Sequence, residues 1–304
     1  MRTRSFAVPA IAVAAAIVLA GCSPSSATTA AATSRDKVDV VASTNVYGSL
    51  VQAIGGSHVT VTSILDNPNQ DPHQFEADAR TQLAVSKADL IIENGGGYDS
   101  FTASLVSATK STAPVLNVVS LSGIPSSVSD FNEHVFYDYP VVVTLISKIE
   151  QRLVRLDHRD ASTFRSRAAS LTTEVRALET ETTALKKAFA GVDVMYTEPV
   201  PGYLFQAAGL RNVTPQKFSE AVEEGDDVPP AALNATLKLV SKGSKVRVLA
   251  YNVQASSIET ELVKKAAAQS GIAVIGVTET LPTGKDYVSW QQANIDHLKA
   301  ALQK

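Results

Sequence analysis

Four side chains stand where an imidazole or a carboxylate could do chemistry. His73 lies in Asp71-Pro72-His73-Gln74-Phe75-Glu76. Pro72 has no N–H and presets φ near about −65°, which suits a first helical position, and Asp71 can cap the free N–H groups. The stretch therefore predicts a helix over 74–88 with His73 in its first turn, and Phe75, Ala79 and Leu83 at four-residue spacing give that helix a packing face. The positive end of a helix dipole disfavours imidazolium, so His73 is expected to be neutral near pH 7, the form that offers a lone pair to a metal ion. His134, in Asn132-Glu133-His134-Val135-Phe136-Tyr137-Asp138-Tyr139-Pro140, sits between a loop and the helical pattern 141–156. Glu198 follows the strand-like run 192–196 and Glu279 follows 273–277, at strand carboxyl ends, where parallel α/β sheets bind ligands. Taken singly, His134 reads equally as a surface histidine, and each glutamate as an exposed loop acid.

Other polar features read more simply. His58 follows a Gly-Gly-Ser turn, His158 ends the 141–156 helix, where a cation is welcome, and His297 lies on the terminal helix; all three are expected at the surface. Gly95-Gly96-Gly97 lacks the spacing of a phosphate loop and predicts a tight strand-to-helix turn. Glu223-Glu224-Gly225-Asp226-Asp227 predicts a solvated loop.

Strand-like runs at 38–43, 59–65, 89–93 and 115–119 alternate with helical patterns at 46–54, 74–88 and 98–110. A second set, 192–196, a weaker 212–215, 246–251 and 273–277, is interleaved with helices that include 231–241, 256–270 and 287–302. Such alternation predicts an α/β fold of two similar lobes, each a parallel sheet flanked by helices. Between them, residues 160–190 contain neither Gly nor Pro and place Phe164, Ala168, Leu171, Val175, Leu178, Leu185 and Phe189 three or four apart, with Thr182 breaking the stripe. A helix of that length spans about 45 Å, capped by Asp160 and stopped at Gly191. Small seam residues and few flanking charge pairs make it a poor coiled-coil arm. It is expected to be a rigid strut joining the lobes, which limits the molecule to small lobe shifts.

The start of the chain declares a compartment. Arg2 and Arg4 precede a largely apolar run to Ala20, too short for an ordinary membrane span, and Leu19-Ala20-Gly21-Cys22 places small residues before the only cysteine. Residues 1–21 therefore read as a signal peptide, and the motif resembles a bacterial lipobox, with Cys22 as the lipidation site. Acyl chains contribute about 0.8 kcal/mol of membrane attachment per buried CH₂. Residues 22–37 form a Ser/Thr/Ala-rich tether, 38–159 the N-terminal lobe, 160–190 the linking helix and 191–304 the C-terminal lobe. Taking the two signal-peptide arginines from 27 basic side chains leaves 25 against 30 acidic ones, a net −5 with neutral histidines. That balance argues against a nucleic-acid partner, and a lone cysteine excludes an internal disulfide.

Taken together and in order, these motifs resemble the metal-binding lipoproteins of bacterial zinc and manganese ABC importers, the cluster A-I substrate-binding proteins. Asp71-Pro72-His73 followed by a helix, Ala88-Asp89-Leu90-Ile91-Ile92 and Asn94-Gly95-Gly96-Gly97 match the first signature. Asn132 to Asp138 match an Asn-x-His-x-aromatic-x-Asp pattern, with Phe136 where tryptophan is usual. Glu198 before Gly202-Tyr203-Leu204 and Gly209-Leu210 matches the third. Glu279, where aspartate is common, matches the fourth, with Tyr287 and Asn294 in the closing helix. The resemblance implies His73, His134, Glu198 and Glu279 as metal ligands, two from each lobe, that hold one divalent ion in the cleft between them. It also implies an exported protein, lipid-anchored to the outer face of the cytoplasmic membrane, that delivers metal to an ABC permease and its ATPase subunit. The chain is expected to be a monomer.

Two imidazoles with two carboxylates form a harder site than three imidazoles. Carboxylate oxygen suits Mn²⁺, so Mn²⁺ is favoured over Zn²⁺, although Zn²⁺ binds most such donor sets at least as tightly. The histidine-rich loop of many zinc-specific members is absent: residues 120–131 hold no histidine and one acid, Asp130. The alternatives are a zinc-specific binding protein of the same family, a surface adhesin and a metal-dependent hydrolase. An enzyme would need an open coordination position and a separate acid or base, and no H-E-x-x-H or Ser-His-Asp spacing is present; the chain reads as no enzyme.

Overall fold

Valine and isoleucine runs bounded by turns form strands buried on both faces, and such strands pair in parallel under helices on each side. The structure, a computed structural model, describes residue 3, residues 37–67, 75, 78–125 and 131–304. Apart from residue 3, the stretch expected to be signal peptide lies outside the described residues, as do residues 22–36 with Cys22, and His73. In the first half, β1 (Val38–Thr44), β2 (Val59–Leu65), β3 (Leu90–Glu93) and β4 (Val115–Asn117) form a sheet in the order β2-β1-β3-β4. Every pairing is parallel, with Val40 opposite Leu90 and Ile91 opposite Val115. The second half repeats this winding. Strands β5 (Asp193–Tyr196), β6 (Arg211–Asn212), β7 (Val248–Asn252) and β8 (Ala273–Val277) lie in the order β6-β5-β7-β8, again all parallel, with Val194 opposite Val248. In each sheet the connections leave in opposite directions from two adjacent strands, β1 and β3 or β5 and β7. Their carboxyl ends therefore open a crevice.

Helices α1 (Asn45–Gly55), α2 (Ala79–Lys87), α3 (Ser100–Thr109) and the single turn α4 (Val119–Ser122) serve the first sheet. Two expectations are corrected here. The helix expected over 74–88 begins at Ala79: Asp78 accepts from the Thr81 N–H while Thr81 Oγ1 accepts from the Asp78 N–H, a reciprocal cap that fixes the start. Phe75 precedes it in non-helical backbone and packs edge-on against Phe101, whereas Leu83, expected in the packing face, is 55 % exposed and Val85 is buried instead. His73, expected in the first turn of that helix, lies outside the described residues. The strand expected over 115–119 stops at Asn117, whose side chain accepts from the Ser120 N–H at 2.9 Å and turns the chain into α4.

Helix α5 (Tyr139–Leu156) carries Pro140 in its first turn. The strut is α6 (Ala161–Phe189), which buries Phe164, Ala168, Leu171, Val175, Leu178, Thr182 and Leu185 along one face. Thr182 thus continues the buried stripe. Asp160 stands at the N-cap, but its carboxylate makes no capping bond; it lies 2.8 Å from His58 Nδ1 instead. Helix α6 packs against α1 and α5, against α7 (Gly202–Ala207), and against α11 (Tyr287–Leu302). One hydrophobic cluster runs from Val40 and Leu90 of the first sheet through Leu145, Val175 and Leu178 to Val194, Val248 and Leu298 of the second half. The halves share a core. Helices α8 (Gln216–Glu223), α9 (Pro230–Leu239) and α10 (Ile258–Gln269) cover the second sheet. Among the described residues no helix is long and apolar enough to cross a membrane.

Candidate metal centre

The carboxyl ends of β5, β7 and β8 converge on one point. Thr197, just past β5, is anchored by its N–H on the Ala250 carbonyl and accepts from the Asn252 N–H at 2.9 Å. This fixes Glu198, the next residue, opposite Asn252 at the end of β7. The Asn252 carboxamide nitrogen donates both to Glu198 Oε2 and, at 2.7 Å, to Glu279 Oε1. A single amide nitrogen reaches both acids, so the two carboxylates face a common point. Glu279 is held in turn by Gln254, whose Oε1 accepts the Glu279 N–H at 2.6 Å and the Thr280 N–H at 3.2 Å.

The first half delivers the imidazole. Asn94, directly after β3, accepts the Tyr47 hydroxyl and donates at 2.9 Å to the Glu133 carbonyl, setting the path of the His134 loop. Asn132 completes it: its Oδ1 accepts the His134 backbone N–H at 3.0 Å and lies 2.8 Å from His134 Nδ1, while its Nδ2 donates to the Pro199 carbonyl at 2.8 Å. The amide orientation is fixed by these partners, so Nδ1 carries the proton in neutral His134 and the lone pair is on Nε2. Nε2 lies 3.4 Å from Glu279 Oε2. Tyr98 and Phe136 each meet the imidazole edge-on, with ring centroids 5.7 Å away, and hold it in place.

The halves are bonded around this cluster. Tyr137 donates to the Thr278 carbonyl at 2.9 Å, Tyr203 to the Asn132 carbonyl at 2.7 Å and Tyr287 to the Phe136 carbonyl at 2.8 Å. Asn294 donates to the Tyr137 hydroxyl at 3.2 Å. Leu281 and Asn45 exchange two bonds, the Leu281 N–H reaching Asn45 Oδ1 at 2.8 Å.

The site is acidic and dry. His134, Glu198 and Glu279 are 1 %, 3 % and 1 % exposed. Burial, and then Glu279 beside it, push the Glu198 carboxyl well above the ordinary glutamate range. Burial likewise pushes Glu133 up to about 8 against the opposing pull of His134, and raises Glu223. Burial alone would lower His134, but the bond to Glu279 and the charges of Glu279, Glu223 and Glu133 outweigh it and hold the imidazole up at about 9. One imidazole faces four carboxyl groups, a set in which burial favours the protonated acids.

Of the four expected ligands, the structure brings His134, Glu198 and Glu279 into one hydrogen-bonded cluster, while His73 lies outside the described residues. Among the described residues no three His, Cys, Asp or Glu side chains close around a common point. Sequence reading missed Asn252 and Gln254, although Asn252 carries the signal used for Glu198 and Glu279, a polar residue at a strand's carboxyl end. It also misplaced Glu223. The expected solvated loop begins after Glu223, which is the last residue of α8 and puts Oε1 3.8 Å from His134 Nδ1. His158 and His297 are exposed as expected, but His58 is half-buried, paired with Asp160 and edge-on to Phe164. Gly95, Gly96 and Gly97 adopt positive φ in the expected tight turn, with Asp99 accepting the Asn94 and Gly95 N–H groups.

Two lobes of repeated parallel winding, a connecting helix and a polar cleft between strand ends define a substrate-binding protein of the two-lobed, helix-linked class. The periplasmic zinc binding protein TroA from Treponema pallidum has this fold: it superposes with a TM-score of 0.72 at 19 % identity, over 88 % of this chain and 99 % of that one. The family described as ZnuA, zinc-uptake complex component A, periplasmic, matches residues 40–301, and the chain belongs to it. Among curated relatives, the manganese ABC transporter substrate-binding lipoprotein scaA of Streptococcus gordonii is 23 % identical over 94 % of this chain and 95 % of its own length. The iron ABC transporter substrate-binding lipoprotein MtsA of Streptococcus pyogenes serotype M1 is 21 % identical over the same shares. Proteins named for zinc, manganese and iron are thus similarly distant, so likeness alone does not choose the metal.

Proposed function

We propose that this protein captures one divalent transition-metal ion in the cleft between its lobes, through His73, His134, Glu198 and Glu279, and hands it to the permease of an ABC importer driven by its ATPase subunit. It does so as a monomer outside the cell, held to the outer face of the cytoplasmic membrane by acyl chains on Cys22. The observation that carries this reading is the buried meeting of His134, Glu198 and Glu279, with one amide nitrogen bridging the two acids. A dry cluster of that charge is stabilised by a cation and serves no packing purpose. The neutral tautomer of His134 turns its lone pair toward Glu279, as a ligand must.

Mn²⁺ is the favoured cargo. The donor set is oxygen-rich, and Glu133 and Glu223 beside His134 add further carboxyl oxygens, which suits a hard ion. The zinc reading rests on the family's own description and on TroA. The ion is cargo, so the site has no need of a bound nucleophile, and the family's role is transport.

Titrating metal-stripped protein with Mn²⁺, and following free Mn²⁺ by electron paramagnetic resonance, tests the assignment. Signal is expected to vanish up to one equivalent, and Glu198→Ala to abolish this. Silence toward Mn²⁺ with tight one-to-one Zn²⁺ binding would move the cargo to zinc, and binding of neither ion would overturn the reading.

A further inference from the structure

The buried donors need a route to solvent. His134, Glu198 and Glu279 are at most 3 % exposed, and an ion surrounded by water does not reach them directly. Glu223 is different. Its side chain is 20 % exposed while its Oε1 lies 3.8 Å from the buried Nδ1 of His134. The same carboxylate lines an open recess of about 280 Å³, together with Asn132, Tyr196, Pro199, Thr214 and Glu220. Liquid water occupies about 30 Å³ per molecule, so this recess holds an ion with part of its hydration shell.

We propose that Glu223 is the admitting carboxylate of the site: it takes a divalent cation from the recess and passes it inward to the buried donors. This deepens the metal-capture reading and rests on it. Three features fit Glu223 to the task. It is the last residue of α8, where the carbonyl end of the helix favours a cation. A carboxylate replaces part of the lost hydration before the ion meets Glu198 and Glu279, which lowers the cost of dehydrating it in one step. Glu223 lies nearest His134 Nδ1 and Glu279 nearest Nε2, and of these acids Glu223 lines the recess while Glu198 and Glu279 do not, so it stands outside the inner donors. Glu220, one turn earlier, is held by Gln216 Nε2 at 2.7 Å and adds negative field to the recess without touching the imidazole. A group that lowers the barrier to admission lowers it equally for release, so both rates depend on it.

Stopped-flow mixing of metal-stripped, full-length protein with Mn²⁺, and separately with Zn²⁺, tests this. Glu223→Gln is expected to slow association about tenfold and to slow dissociation with it. Glu223→Asp, which keeps the charge, is expected to recover at least half of the lost association rate, and Glu220→Gln to slow association less than twofold. Normal association with faster dissociation in Glu223→Gln would make it a holding residue and overturn the proposal. Equal slowing in Glu220→Gln would also overturn it, by reducing the effect to the general field. If Glu223→Gln melts well below the parent, Glu223→Asp against the parent carries the comparison, and unchanged association rates for both ions then overturn it. Failure of the parent protein to bind either ion is visible before any variant is mixed, and that result overturns the metal-capture reading itself.

Discussion

An asparagine carboxamide has a fixed polarity once both of its ends are engaged, and Asn132 engages both. Its oxygen sets the His134 tautomer while its nitrogen holds the Pro199 carbonyl, on the loop that carries Glu198. Imidazole orientation and lobe contact therefore depend on one side chain. Asn132→Ala is expected to weaken metal binding about 10- to 100-fold and to destabilise the fold by roughly 1–3 kcal/mol through the abandoned partners. Calorimetric titration and thermal melting measure the two effects. Asn132→Asp keeps the acceptor for Nδ1 and loses the donor to Pro199, so its affinity should fall less than its melting temperature would suggest. At this scale the sequence exposes candidate side chains but hides their supports. His134 and Glu198 stand beside recognisable turns and strand ends. Asn252 and Gln254 act only because β7 runs between β5 and β8, an order that no local pattern announces.

The elements were legible where their period is long. Helix α6 shows a three-four repeat from Phe164 to Leu185, and the buried face follows it, Thr182 included. Short or competing signals failed. Asp71-Pro72 and Asp78-x-x-Thr81 are both helix starts in sequence, and the reciprocal bonds of the second decide where α2 begins. Helix α8 has eight residues between Pro215 and Gly225, too few for a period to stand out, so Glu223 was lost with it. The strut leads to a prediction of its own. Leu178 is 2 % exposed in the cluster common to both sheets. Leu178→Ala is expected to cost about 2–5 kcal/mol and to lower a single melting transition, because the halves share that core. Two separated calorimetric transitions would contradict the shared core.

For the molecule as a whole, the acidic cleft ties stability to pH. His134 is raised from 6.5 to about 9, so its contribution is complete below pH 6.5 and is lost as pH climbs through 9. Glu133 is raised from 4.5 to about 8, and its contribution is likewise present below 4.5 and lost through 8. Both signs agree. The metal-free protein should lose melting temperature between about pH 5 and 9, by on the order of 5 °C. Metal affinity should move the other way, still rising from pH 7 to 9 with measurable proton release; affinity flat over that range would contradict the charge balance described. The repeated sheet order has one more consequence. Val40 pairs with Leu90 as Val194 pairs with Val248, and counting four residues along each strand places Thr44 where Glu198 stands, and Asn94 where Asn252 stands. The two lobes thus offer the same pair of sockets on the same backbone. One lobe fills them with a hydroxyl and an amide bound to Tyr47, the other with an acid and an amide bound to two acids. The two lobes repeat one scaffold and differ in the charge they set upon it.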